Sequence, residues 1–394
     1  MSENTQTIWD IAVIGGGPAG MMAAGRAAEL GAKVILIEKN DGLGKKLLIS
    51  GGGRCNLTNA ELDTRKFLAK FKDSDQFLFS PFAQWSVKET LDFFHSRKME
   101  TKVEEGGRVF PVSDNSKSVW DALVGYMREG NVTILSDSPV VDFIRDKYAI
   151  IAIKLKNGEI IKARSFVLAT GGKSRPETGS TGDGFVWLKE MGHTVIKPEP
   201  ALVPIAIEDD WVKQLQGLSL NDARIKIFQN GQKQEMKKGK ILFTHFGLSG
   251  PLILNLSKDI NELLKYGDVH LSLDLFPQFD HGKLDLNVQE IFSQQSNKQL
   301  KNCLTALLPS AIVPVVIGMS GIDPETFCHS VTREQRLQLG KIIKDMPMKV
   351  TGLLGVEKAI ITSGGIALEE VDFKTMSSRL FPNLYLVGDV LNID

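Results

Sequence analysis

The sequence predicts an α/β protein built on a parallel sheet, and three stretches carry that expectation. An apolar run, Ile11 to Ile14, enters Gly15-Gly-Gly-Pro-Ala-Gly20, which opens a small-residue helix reaching from Pro18 to Leu30. A second apolar run, Val34 to Ile37, ends in Glu38, and a third, Leu384 to Val387, is followed by Gly388-Asp389. Short continuous apolar runs read as strands buried on both faces, the habit of parallel sheets.

Each part of the first stretch has a physical job. Gly15 permits a tight turn, Gly17 lets the backbone approach a pyrophosphate, and Gly20 allows close helix–strand packing. Pro18 and Ala19 start the helix, whose free N–H groups and positive dipole end suit phosphates. Gly31 sits where a helix C-terminal glycine belongs. Glu38 would accept hydrogen bonds from a ribose diol, and an acid there in place of Arg or Lys argues against a 2′-phosphate. A structural glycine turn would share the spacing. The strand before it, the helix after it and the acid at this distance instead predict an ADP-containing dinucleotide.

At 394 residues the chain is expected to hold two or three domains. With 42% apolar and 24% charged residues and a mean hydropathy of −0.05, the composition is that of a soluble globular protein. Forty-seven basic residues balance forty-seven acidic ones, with no long run of one sign, which gives no support to nucleic-acid or membrane-surface binding. Cys55, Cys303 and Cys328 lie far apart in sequence, so neither a disulfide framework nor a metal site is expected, and a reducing compartment suits them. Met1 to Trp9 lacks the pattern of a signal peptide, and the apolar stretch around Leu307 to Met319 is broken by Pro309 and Pro314. A cytoplasmic protein is expected.

Beyond Glu38, Lys45, Lys46 and Arg54 are candidate cationic contacts to phosphates or to a reduced, anionic ring. The glycines Gly51, Gly52 and Gly53 before Arg54 leave the backbone free to contact a ligand closely, together with Cys55 and Asn56. Residues 75 to 100 have helical spacing, with an aromatic stripe (Phe77, Phe79, Phe82, Trp85, Phe94) expected in the core. Ser118 to Arg128 reads as a helix, and Val132–Leu135 and Val140–Ile144 as strands. Ala149–Leu155 and Glu159–Ala163 form a hairpin around Asn157-Gly158. A further strand, Ser165 to Ala169, ends in Thr170-Gly171-Gly172, placing backbone N–H groups at the carboxyl edge of a sheet.

From Pro198 onward short strands (Ile205–Ile207, Arg224–Phe228) and the turn Asn230-Gly231 suggest an inserted antiparallel β unit. Ser249 is the expected cap of a helix with Pro251 in its first turn. Leu284 to Ile343 reads as helical, and strand patterns return at Ala359–Thr362.

The hairpin at 149–163, the Ala169-Thr-Gly-Gly172 turn and the closing Gly388-Asp389 form the three-point pattern of FAD proteins rather than of a simple NAD dehydrogenase. An aspartate at that last position would receive ribityl hydroxyls. The chain resembles the BaiN/YhiN-type flavoprotein family, variously labelled NAD(P)/FAD-dependent oxidoreductase or aminoacetone oxidase family. The resemblance runs from about Ile8 to Asp394. Its carriers are Gly15 to Gly20, Leu43-Gly-Lys-Lys46, Gly51-Gly-Gly-Arg-Cys-Asn56, Gly107-Arg-Val-Phe-Pro111, Ala169-Thr-Gly-Gly-Lys-Ser174, Thr178-Gly-Ser-Thr-Gly182, Phe243-Thr-His-Phe-Gly-Leu-Ser-Gly-Pro251 and Gly388-Asp-Val-Leu391.

The resemblance implies a Rossmann-like FAD-binding domain (1–196 and 372–394), an inserted antiparallel β-barrel-like domain (197–277 and 346–371) and a small helical domain (278–345). It implies bound FAD, with Lys39 and Val140 joining the cofactor-binding positions named above. Family members continue past the residue matching Asp394 with a glycine-rich turn and a helix against the flavin. This sequence is therefore expected to be a shortened form or to lack part of that support.

Flavin carries the redox chemistry, so few side chains are candidates for direct action. His245 is the candidate catalytic residue, by contact with substrate or with flavin O2, and the helix start near Ser249 is a candidate for directing positive potential at the reduced ring. Cys55 reads as a packing residue and His193 as part of a structural turn. No second glycine fingerprint follows another strand, so no separate nicotinamide domain is expected. The expected function is an FAD-dependent oxidoreductase moving hydride to or from a small organic substrate. One form oxidises a small amine such as aminoacetone with O2. A second uses NAD(P)H as transient reductant for an enone-like acceptor. A third reading is a flavin-binding protein without turnover. Substrate identity and oligomeric state are not encoded in these motifs.

Overall fold

The structure, a computed structural model, describes residues 7–393, so the expectations touching Met1–Gln6 and Asp394 lie outside it. The chain begins with β1 (Ile8–Ile14), α1 (Pro18–Glu29), β2 (Val34–Ile37), α2 (Lys45–Gly53), β3 (Thr58–Asn59), α3 (Thr64–Leu68), α4 (Asp75–Gln84) and α5 (Val87–Ser96). It continues through β4 (Thr101–Glu104), β5 (Arg108–Pro111), α6 (Ser116–Glu129), β6 (Thr133–Leu135), β7 (Val140–Arg145), β8 (Ile150–Leu155), β9 (Ile160–Leu168), α7 (Asp183–Glu190) and β10 (Val195–Ala201). Next come β11 (Ile205–Ile207), α8 (Asp210–Gln214), β12 (Ser219–Gln229), β13 (Gln232–Thr244), β14 (Gly247–Ser249), α9 (Pro251–Leu264) and β15 (Val269–Asp274). Helices α10 (His281–Gln294), α11 (Leu300–Cys303), α12 (Val313–Ser320) and α13 (Arg333–Lys344) precede β16 (Met346–Leu353), β17 (Ile361–Ile366) and β18 (Leu384–Leu386).

Two compact units result: residues 1–200 with 360–394, and residues 201–359. The second junction falls before β17, not at 371, because β17 pairs with β10 in the first unit.

In the first unit a seven-stranded sheet runs β6-β2-β1-β9-β8-β7, with β18 also on β9. β1 is parallel to β2 and β9, and β18 is parallel to β9, while β7 and β8 are antiparallel additions. The period of two in a strand divides the apolar runs between two cores. Ala12, Ile14, Ile35 and Ile37 face one cluster, while Val13, Val34 and Leu36 face the other with α1 and α6 residues. That is why these runs are apolar at every position.

Three local expectations change. Glu159–Ala163 and Ser165–Ala169 are not two strands but one, β9, because pairing with β1 from Lys162 to Leu168 holds the chain extended throughout. The stripe at 75–100 is two helices, divided at Trp85, with Ser86 and Glu89 forming a capping box that restarts the helix. Ser249 ends β14 opposite Leu242, so Gly250, at φ 95°, takes the cap position before Pro251. A side chain at Gly250 would crowd the Leu242 nitrogen at 3.0 Å.

The second unit is a closed six-stranded antiparallel barrel, β11-β14-β13-β12-β15-β16, with helices α10–α13 in the same hydrophobic cluster. Ala223, Ile225 and Ile227 on β12 and Met346, Met348 and Val350 on β16 alternate inward. Asn230 and Gly231, both at positive φ, supply the two-residue turn that joins β12 to β13. Among the described residues no helix is long and apolar enough to cross a membrane.

Candidate functional site

The carboxyl ends of β1, β9 and β18 converge on a cavity of about 540 Å³ within the first unit. Backbone bonds join the three ends: Ala169 N–H donates to Ile14 O and Val387 N–H to Leu168 O. Ligands of open α/β sheets bind at this edge, where successive connections leave in opposite directions.

The glycine turn is explained residue by residue. Gly15, at φ 107°, could carry no side chain, because a Cβ would lie 2.5 Å from Ala169 O. A Cβ on Gly20 would meet Gly15 O at 1.9 Å, so this glycine lets α1 close onto the turn. Gly17 differs. Its φ is −74°, a value open to any residue, and a Cβ there would meet nothing within 4 Å. Neither conformation nor protein packing demands glycine at this position on the cavity wall, whereas close approach of a ligand to the backbone would.

Glu38 is buried and spends its carboxylate on the turn. Oε2 accepts from Gly16 N–H at 2.6 Å, and Oε1 accepts from the backbone and side-chain nitrogens of Asn40 at 2.9 and 2.7 Å. The acid therefore shapes the glycine turn while also lining the cavity. Lys39 donates to Thr181 Oγ1 at 2.6 Å and to Asp183 Oδ2 at 2.8 Å. Burial pushes the Asp183 carboxyl up, yet bonds from Lys39 and Thr181 outweigh it and hold it below its ordinary range. Lys45 pairs with Asp41 at 2.7 Å, and Lys46 reaches both Ser174 Oγ and Asp389.

Of the expected positions, Gly15, Gly17, Pro18, Ala19, Glu38, Lys39, Lys45, Lys46, Cys55, Asn56, Val140, Thr170, Gly171, Gly388 and Asp389 line this cavity. Gly20, Gly53, Arg54, Gly172 and His245 are not in this lining. Arg54 does not line it: the guanidinium is held by Glu104 at 2.8 Å and Asp114 at 3.1 Å and lies 4.0 Å over the Phe110 ring. The two carboxylates tie the turn after α2 to Glu104 on β4 and to Asp114 after β5. Gly53 sits in the left-handed run Gly51–Gly53 that ends α2. Gly172 packs on Thr362, where a Cβ would meet Oγ1 at 2.4 Å. His245 lies in the second unit, exposed in the β13–β14 turn, with its ring edge-on to Phe246 at 4.9 Å.

Several lining residues escaped the sequence reading: Asn40, Ser138, Thr178 to Ser180, Asp183 and Trp187. Asn40, two positions past the acid, and Thr178 to Ser180, within a quoted motif, had local signals; Ser138, Asp183 and Trp187 arrive through chain returns. Trp85 and Phe94 line the cavity beside Phe93, so part of the stripe assigned to the core is wall.

The residues present fit a dinucleotide. Thr170 Oγ1 is buried at the cavity with no hydrogen-bond partner, a donor and acceptor left for a ligand. The open position beside Gly17 and the N-terminus of α1 suit a pyrophosphate. This fold and site define a Rossmann-type FAD-dependent oxidoreductase. The family model described as HI0933-like protein Rossmann domain matches residues 9–394, and the chain belongs to that family.

A 3-dehydro-bile acid delta(4,6)-reductase of Clostridium scindens is 28% identical over 399 residues, covering 98% of this chain and 93% of that protein. A ribosomal RNA dihydrouridine synthase of Escherichia coli K12 is 28% identical over 385 residues, covering 98% and 92%. Among solved structures, a 3-ketosteroid delta1-dehydrogenase of Sterolibacterium denitrificans aligns with a TM-score of 0.52 at 12% identity, over 97% of this chain and 94% of that one, a likeness of fold.

Proposed function

We propose that the protein reduces a carbon–carbon double bond conjugated to a carbonyl, using NAD(P)H as the reductant and FAD as the resident cofactor. Bound FAD supplies reversible hydride chemistry. The chain's own groups bind and orient it. The Gly15–Ala19 turn and the α1 N-terminus hold the phosphates, Glu38 and Asn40 a ribose, Thr170 a hydroxyl or phosphate oxygen, and Lys46 with Asp389 the polyol side. The Lys46 ammonium at the cavity wall would favour negative charge on a bound cofactor.

One observation favours reduction over amine oxidation. Two relatives that match over nearly their whole length are named for adding hydrogen to a conjugated ring, one a bile-acid skeleton and one a uracil in RNA. Neither name mentions an amine, so aminoacetone oxidation has no comparable support. The balanced charge of the chain favours a small-molecule substrate over RNA. Three free, buried cysteines suit a cytoplasmic setting.

The test is an anaerobic titration of the purified protein. NADPH or NADH should bleach the visible flavin bands, and cyclohex-2-enone should restore them. Bleaching by aminoacetone with peroxide release in air would select the oxidase. Restoration by an rRNA fragment alone would move the substrate to RNA. Bound flavin that responds to none of these would leave a binding protein.

A further inference from the structure

The cavity is not uniform in chemistry. Its end between α5 and α6 is walled by Leu47, Phe93, Phe94, Val119 and Leu123, with Met22 from α1 beside them. The first five are core residues by burial, none more than 7% exposed. Protein interiors close around such side chains and leave few voids larger than a water. Here they border open volume instead.

The polar groups at that end are already satisfied by the protein. Trp85 Nε1 donates to Thr90 Oγ1 at 3.1 Å, Thr90 Oγ1 donates to Ser86 O at 2.9 Å, and Ser50 Oγ donates to Leu47 O at 2.7 Å. None of the five wall residues carries a charge. Beside these stand the Cys55 thiol, whose pKa burial pushes up, and Asn56, whose amide nitrogen donates to Thr58 O at 3.1 Å. The five apolar walls offer a polar or ionic group no partner, whereas apolar volume stays dry and takes an apolar guest.

The walls are also held in place. Ser116 Oγ donates to Leu48 O at 2.7 Å and Trp120 Nε1 to Leu43 O at 2.9 Å, tying α6 to α2. The Ser86–Glu89 capping box fixes the start of α5. Preformed volume lowers the cost of binding.

We infer that this end of the cavity is a subsite for an uncharged hydrophobic moiety, a carbocyclic ring in size and character, distinct from the polar half that fits the dinucleotide. Its assignment to the hydrocarbon skeleton of the substrate rests on the reductase reading; its capacity to bind does not.

The probe is para-fluorotoluene, followed by fluorine NMR with the FAD-loaded protein. Saturable binding to wild type is expected, weakened at least about tenfold by Val119→Phe, which fills the volume, while the visible flavin band persists. Leu123→Ala enlarges the space and should bind the probe as tightly or more so, which keeps the test open where the larger side chain prevents folding. Absence of saturable binding, or equal binding by Val119→Phe, would overturn the subsite. So would displacement of the probe from apo-protein by FAD, since the volume would then belong to the cofactor. Probe binding without enone turnover leaves the subsite standing and sinks the reductase reading. Turnover without probe binding does the reverse.

Discussion

Lys46 and Asp389 are 343 residues apart in sequence and 3.2 Å apart at the cavity wall, and the same ammonium donates to Ser174 Oγ at 2.7 Å. One side chain from α2 thus gathers the turn after β9 and the end of β18 around the site. The pair is part-exposed, so its own contribution to stability is small, about 1 kcal/mol or less. Lys46→Met should therefore leave the urea midpoint nearly unchanged while FAD retention on gel filtration falls about tenfold. Equal loss of stability and FAD would show a scaffold role instead.

The glycines of the first turn predict opposite phenotypes. Gly17→Ala meets no protein atom, so folding should persist and FAD affinity should drop by about one to two orders of magnitude. Gly20→Ala forces a Cβ to within 1.9 Å of Gly15 O and should destabilise the unit itself. Thermal melts with and without added FAD separate the two. Full FAD binding by Gly17→Ala would remove the argument that a ligand occupies its open side.

In the second unit Lys344, 5% exposed, bonds Phe276 O at 2.7 Å and Phe279 O at 2.6 Å and pairs with buried Asp274 at 2.7 Å. Lys344→Met strands a carboxylate whose other cation, Arg224, stands at 3.4 Å. A loss of about 3–5 kcal/mol is expected by chemical denaturation, with much of it recovered in Lys344→Met/Asp274→Leu. Should the double variant be no more stable than the single one, desolvated charge is not what the pair controls.

His193 is buried in the first unit, with Nε2 bonded to Ser378 Oγ at 2.8 Å and Nδ1 without a partner. Burial moves its pKa below the ordinary 6.5. The unfolded chain then binds the proton more readily, so stability is full above about 6.5 and declines as pH falls through that value toward the folded pKa. Urea midpoints for wild type should drop between about pH 7.5 and 5.5 by more than those of His193→Gln. Parallel pH profiles would place the acid sensitivity elsewhere.

Much of the first unit was legible because its signals are local. The run of β1, the turn at Gly15–Gly20, α1 ending before Gly31 and β2 ending at Glu38 each depend on neighbours a few residues away. The barrel was legible in outline from its short alternating strands and the Asn230-Gly231 turn. The β9 strand was misdivided because pairing with β1, not its own composition, keeps Arg164 extended.

The sequence by itself determined the dinucleotide turn, the buried parallel strands and the acid at their edge, since steric and hydrogen-bonding demands within one β-α-β unit are short-range. Only the tertiary structure decided which charges were free to meet a ligand. Arg54 went to Glu104 and Asp114, while Lys46 came to the cavity wall beside Asp389. It also decided that Phe93 and Leu123 border open volume instead of closing the core. A charge or an apolar ring has the same chemistry wherever it lies in sequence. Its partner is set by long-range packing, and no local pattern records that choice.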